Sequence, residues 1–81
     1  MLTKINPVYL ASVQSIELNY KLASLNQVSM QTAERWIRTN DKNLLIYPNL
    51  ILILEEINNS INANLKDKNF TIPDILINLN H

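Results

Sequence analysis

Apolar residues recur at helical spacing in two short runs near the middle of the chain, Leu18/Leu22/Leu25 and Ala33/Trp36/Ile37. Polar Asn26-Gln27 separates them, and Val28 is left between as an apolar pin. The pattern predicts two helices, Ile16 to Leu25 and Met30 to Thr39, joined by a turn as in a helix-turn-helix. Ser29 stands where an N-cap is wanted, since its hydroxyl can accept from a free backbone N–H of the turn that follows. On the second of these helices Ala33, Trp36 and Ile37 share one face and Gln31, Glu34, Arg35 and Arg38 the other. The first face packs, with Trp36 in the core.

Upstream, Asn6-Pro7 is a cap followed by a residue suited to the first helical position, which predicts a helix from Pro7 to about Val13 with Val8, Ala11 and Ser12 inward. Nothing between Ser12 and Ser15 is a strong breaker, so this helix and the next are read either as separate or as continuous. Downstream, Thr39 to Asn43 is a run of turn formers leading into a loop. Leu44 to Ile61 follows, with Pro48 in its first turn and a stripe of Leu50, Ile53, Leu54, Ile57 and Ile61. Its isoleucine-rich start would also suit a strand, but Pro48 and the Glu55-Glu56 continuation favour helix. Asn58 to Asn69 is polar and frays into a loop around Lys66 to Asn69. Thr71-Ile72-Pro73-Asp74 opens a last helix, reaching Leu79, from which Ile75, Leu76 and Leu79 pack back. The sum is an all-α fold, a small four-to-five-helix domain spanning residues 1 to 81 as one unit.

Composition removes several chemistries. The chain has no cysteine and a single histidine, His81, so neither a metal centre nor a cysteine or histidine nucleophile system is expected. It has no glycine for a phosphate loop, and the adjacent carboxylates Glu55 and Glu56 point to different sides of a helix. An enzyme and a bound cofactor are therefore not expected. The first residues lack the apolar run of a signal peptide, and Leu50 to Leu54 is too short to span a bilayer, which predicts a soluble, intracellular protein. Net charge is zero, but its distribution is uneven. Residues 1–43 carry five basic side chains (Lys4, Lys21, Arg35, Arg38, Lys42) against three acidic ones; residues 44–81 carry two against four. The more basic half holds the helix-turn-helix, which is consistent with a nucleic-acid partner without arguing for one.

Leu22-Ala23, Val28-Ser29, Gln31-Thr32 and Arg35-Trp36-Ile37 together resemble the helix-turn-helix of the phage Cro and repressor family, the lambda-repressor-like fold. Ala23 precedes Val28 by five and Trp36 follows it by eight, as the small and apolar positions of that family do. The stretch from Asn40 to Glu56 is similar to its linker and fourth helix, and the resemblance covers about Leu18 to Leu76. Asn26-Gln27 stands where the family has Leu-Gly. Glutamine tolerates the left-handed backbone of that position poorly, which predicts a longer or differently shaped turn. Ala33 is smaller than the usual residue, which predicts either a closer helix crossing or a gap filled by Met30 or Leu25.

The resemblance implies a repressor-type transcriptional regulator of a bacterial or phage-infected cytoplasm, binding double-stranded DNA in a sequence-specific way. Base-facing positions carried over are Ser29, Met30, Gln31, Glu34, Arg35 and Arg38; glutamine can pair with adenine, arginine with guanine, and methionine can touch a thymine methyl. Lys21, Thr32, Asn40 and Lys42 are the implied phosphate contacts. The plainer reading of the same face is solvated surface, with Glu34 paired to Arg38 at i, i+4. A homodimer is expected, with Ile51, Leu52, Ile72 and Ile77 as its surface. The alternative is a protein–protein module built on the same helices, such as an antitoxin, anti-repressor or phage assembly protein, for which zero net charge is comfortable.

Overall fold

Asn6 starts the first helix as its residue type dictates: its side-chain oxygen accepts from Val8 N–H at 3.0 Å, with Pro7 in the first turn. The computed structural model describes residues 3–61 and 69–78. Helix α1 (Pro7–Val13) ends at Gln14, whose backbone is extended, and Ser15 Oγ then accepts from Leu18 N–H at 3.0 Å to start α2 (Ile16–Asn26). The two helices are thus separate, divided by a serine cap and not by a glycine or proline. Leu10 and Val13 are the buried pair of α1. The expected inner face of Val8, Ala11 and Ser12 is exposed instead, because the i, i+3 pair Leu10/Val13 carries more apolar area than Ala11 and Ser12 do.

On α2 Leu18, Leu22 and Ala23 are buried, and Leu25 is half exposed. Asn26 holds the inward place that Leu25 was expected to fill, four residues after Leu22, and it does so by hydrogen bonding. Its Nδ2 donates to Leu22 O at 2.8 Å and to Asn49 Oδ1 at 2.7 Å. After a short turn comes α3 (Met30–Thr39), with Ala33, Trp36 and Ile37 buried as their spacing predicts. Met30 and Leu25 both remain exposed, so neither fills space beside Ala33; the small side chains Ala23 of α2 and Ala33 of α3 are both buried in the core.

Residues Lys42–Leu45 form a short 3-10 turn in place of the expected loop, begun by Asp41 Oδ1 accepting from Asn43 N–H at 2.9 Å. Helix α4 (Tyr47–Ile61) has Pro48 in its first turn and buries Leu50, Ile53 and Ile57, so the strand reading of this segment does not hold. Lys66 to Lys68 of the expected loop lie outside the described residues. Asn58 takes up the chain beyond: its Oδ1 accepts from Phe70 N–H at 2.7 Å and its Nδ2 donates to Phe70 O at 3.2 Å. Phe70 in turn meets Tyr9 of α1, ring centroids 5.2 Å apart.

The last element departs from the all-α expectation. Helix α5 (Ile72–Ile75) is one turn, opened by Asp74, which accepts from Thr71 N–H at 2.7 Å. Leu76–Asn78 is then a strand, β2, antiparallel to β1 (Thr3–Ile5) with Ile5 opposite Leu76 and Thr3 opposite Asn78. The expected helix through Leu79 therefore stops at Ile75, and Leu79 lies outside the described residues. A three-residue ladder is marginal alone. What holds it is the burial beside it: Ile5 and Ile75 are fully enclosed, each contributing about 1.5–3 kcal/mol of burial. The fold is mostly helical with a two-strand sheet that ties the first described residues to the last, around one core in which Leu18, Leu22, Leu44, Ile53 and Ile57 are also fully enclosed. No helix among the described residues is long and apolar enough to cross a membrane.

Candidate nucleic-acid interface

The backbone around Gln27 decides how α3 is presented. Gln27 itself takes the left-handed conformation, φ 55° and ψ 46°. Val28 N–H donates to Ala23 O at 3.0 Å and Gln27 N–H to Ser24 O at 3.4 Å, the paired bonds of a Schellman cap. The turn is therefore the short one that a glycine would make, and the expectation of a longer turn is corrected. A residue with a Cβ is held in this region because the bonds on either side over-determine it. Ser29 Oγ then accepts from Thr32 N–H at 3.1 Å and starts α3 at once.

The ten residues singled out from sequence fall into two groups. Gln31, Arg35 and Arg38 are exposed on the outer face of α3, with Glu34 partly exposed among them and Met30 at its start. Arg38 Nε donates to Glu34 at 3.2 Å, the expected i, i+4 pair, with both side chains well solvated. Such a pair contributes about 0.3–0.5 kcal/mol, too little to keep Arg38 from exchanging Glu34 for another acceptor. Lys42 is exposed on the 3-10 turn.

The remaining four have structural duties. Ser29 caps α3, and its hydroxyl also donates to Thr32 Oγ1 at 3.0 Å, so both side chains are engaged with each other. Asn40 ends α3 in the left-handed region, and its Nδ2 donates to Ile5 O at 2.7 Å, fastening β1 to the end of α3. Lys21 Nζ meets Glu56 Oε2 at 2.8 Å, joining α2 to α4. The hydrogen bond that the Lys21 ammonium donates to the Glu56 carboxylate, and that carboxylate's charge, raise the Lys21 pKa above its ordinary value.

Arg38 also borders an open groove of about 300 Å³ between α1 and α3, floored by Leu10, Ala11 and Ile37. The expected dimer surface is not a free apolar face: Ile51, Leu52, Ile72 and Ile77 are all partly buried, and Leu52 and Ile72 pack against the core. Among the described residues, the large apolar side chains exposed by half or more are Val8, Ile16, Tyr20, Leu25, Ile46 and Tyr47. Sequence reading gave Ile16 and Tyr20 no part, although their spacing to Ala23, i, i+4, i+7, was the available signal that they share a row. No protein-family model, curated protein or solved structure matches the chain.

Proposed function

We propose that the chain is a small repressor-type DNA-binding protein of the lambda-repressor-like class, with α3 as the helix that enters the major groove. The observation that carries this reading is the division of α3: Ala33, Trp36 and Ile37 are buried while Gln31, Arg35 and Arg38 stand in solvent, behind a turn short enough to make α2 and α3 one rigid unit. Gln31 and Arg35 are the base readers, adenine and guanine being the bases their side chains pair with in a bidentate way. Arg38 joins them by exchanging Glu34, and Lys42 supplies a phosphate contact. Ser29, Thr32, Asn40 and Lys21 hold the unit in shape and act on DNA only through it. The protein works as a two-fold dimer on paired half-sites about one helical turn, roughly 34 Å, apart.

Fluorescence anisotropy with random duplex DNA, titrated with salt, tests the reading. Binding that weakens steeply with salt, with a log–log slope near −0.9 for each phosphate neutralised, is the expected result; a flat response overturns it. On a selected duplex Arg35→Ala costs about 1–3 kcal/mol and leaves the melting temperature unchanged. The reverse outcome, a lowered melting temperature with binding intact, would make Arg35 structural. A second reading, a module that binds protein, draws on the six half-exposed apolar side chains and the zero net charge. It predicts no salt-dependent DNA binding at all.

A further inference from the structure

Helix α1 packs chiefly against α4 and helix α3 against α2, and the space between α1 and α3 is the open groove of about 300 Å³ that Arg38 borders. Sites for small molecules span roughly 300–1,000 Å³, so this groove suits a small one. Its floor is apolar, from Leu10, Ala11 and Ile37, and its polar edge comes from Gln14, Arg38 and Asn40. Arg38 gives the lining a positive charge, and no acidic residue lines it. Glu34 holds the Arg38 guanidinium through Nε, which leaves both terminal amino groups without a hydrogen bond among the described residues. The Gln14 side chain is exposed and likewise unbonded there.

We infer that this groove binds a small carboxylate with an apolar body, such as an aromatic acid, and that the acid acts as an effector of DNA binding. The carboxylate takes the two terminal amino groups of Arg38, whose planar fork matches it, and Gln14 donates beside them. The ring covers Leu10, Ala11 and Ile37. A bare phosphate would satisfy Arg38 and leave that floor in water, while a neutral ring would cover the floor and leave the fork unused. Binding of the acid is independent of the DNA reading of α3, but its role as an effector rests on that reading. One guanidinium cannot serve the acid and the DNA together, so each ligand weakens the binding of the other by the same factor. The acid therefore releases the chain from DNA.

The test follows backbone amide signals by NMR as phenylacetate is added to the wild-type chain, Arg38→Met and Ala11→Leu, with phenethyl alcohol and inorganic phosphate as the neutral and the bare-anion probes. Ala11 is exposed on α1, so Ala11→Leu fills the groove without entering the core. Saturable shifts centred on Ala11, Ile37 and Arg38 are expected at phenylacetate concentrations on the order of 1 mM. Arg38→Met weakens them about three- to tenfold and Ala11→Leu abolishes them, with melting temperatures unchanged. No shifts in wild type, or alcohol or phosphate binding as tightly as phenylacetate, overturns the site. The coupling is read by anisotropy on a selected duplex, where phenylacetate is expected to weaken the wild type and to leave Arg38→Met unchanged. A duplex that holds the wild type equally well with the acid bound overturns the effector role. A wild type that takes the acid but binds no duplex overturns the DNA reading, and the effector role with it, while the site stands.

Discussion

Two helices of this chain, α2 and α3, end in the same backbone shape, and the difference lies in what the left-handed residue does with its side chain. Gln27 closes α2 at φ 55° and Asn40 closes α3 at φ 52°. Each turn is sealed by the same two bonds, Val28 N–H to Ala23 O and Gln27 N–H to Ser24 O in the first, Asp41 N–H to Trp36 O and Asn40 N–H to Ile37 O in the second. A chain with no glycine must place a Cβ at both positions, where a left-handed conformation costs roughly 1–2 kcal/mol. Asn40 offsets that cost with its own amide, which bonds Ile5 O. Gln27 is exposed and its neighbour does the work: Asn26 and Asn49 bond each other reciprocally at 2.7 and 3.2 Å, and Asn49, 1% exposed, also donates to Asn43 O. A strained residue is held either by its own side chain or by a polar clamp one position away.

Removing the clamp is the severest way to break this symmetry. Asn49→Ala would leave the Asn26 amide oxygen without its partner and facing a hole, and the Asn43 carbonyl with only the Ile46 N–H, costing about 3 kcal/mol. In an 81-residue chain that lowers the melting temperature by about 12–24 °C in a calorimetric scan. An Asn49→Ala protein that melts within a few degrees of wild type would show that the first turn stands without it. At the second turn Asn40→Ala combines the loss of one bond with a worse left-handed residue, for about 2 kcal/mol, whereas Asn40→Gly trades the bond for backbone freedom and comes out near neutral. Gln27→Gly has nothing to lose but strain, and it is expected to stabilise by about 0.5–1 kcal/mol. Equal responses of the Gln27→Gly and Asn40→Gly proteins to urea would remove the distinction drawn between the two caps.

The caps also mark where sequence stops being sufficient. Ser15, Ser29 and Asn6 announce themselves because a cap is a local bond, made within three residues, and Ala33, Trp36 and Ile37 declare the buried face of α3 because periodicity over ten residues is unambiguous. Asn26 was legible only as a break. Its partner Asn49 lies on another helix, and no local rule distinguishes an asparagine that ends a helix from one that clamps it. The strand Leu76–Asn78 was hidden for the same reason: three residues fit either period, and what decides between them is Ile5 at the other end of the chain. For the site, the exposed Gln31, Arg35 and Arg38 followed from the helix period. The engagement of Lys21, Asn40, Ser29 and Thr32 depended on neighbours in space, and a lysine committed to Glu56 reads in sequence like a free one.

Lys21 supplies the mildest perturbation of the first turn, since its bond to Glu56 is the second fastening of α2 onto α4 beside the asparagine clamp. Glu56 raises the Lys21 pKa above the ordinary value of 10.5, so the folded chain holds this proton more tightly than the unfolded chain does. The stability that follows from the pair is fully present below pH 10.5 and is lost as pH rises through the elevated folded-state value. The readout is the difference in melting temperature between wild type and Lys21→Met, measured at pH steps from neutral to strongly alkaline. That difference is expected to be small, because the Lys21 side chain is 43% exposed, to stay constant up to the ordinary lysine range, and to close above it. A gap that persists unchanged once Lys21 is deprotonated would mean that the methylene stem of Lys21, and not its charge, holds α2 to α4, leaving the asparagine clamp as the polar link between the first turn and the core.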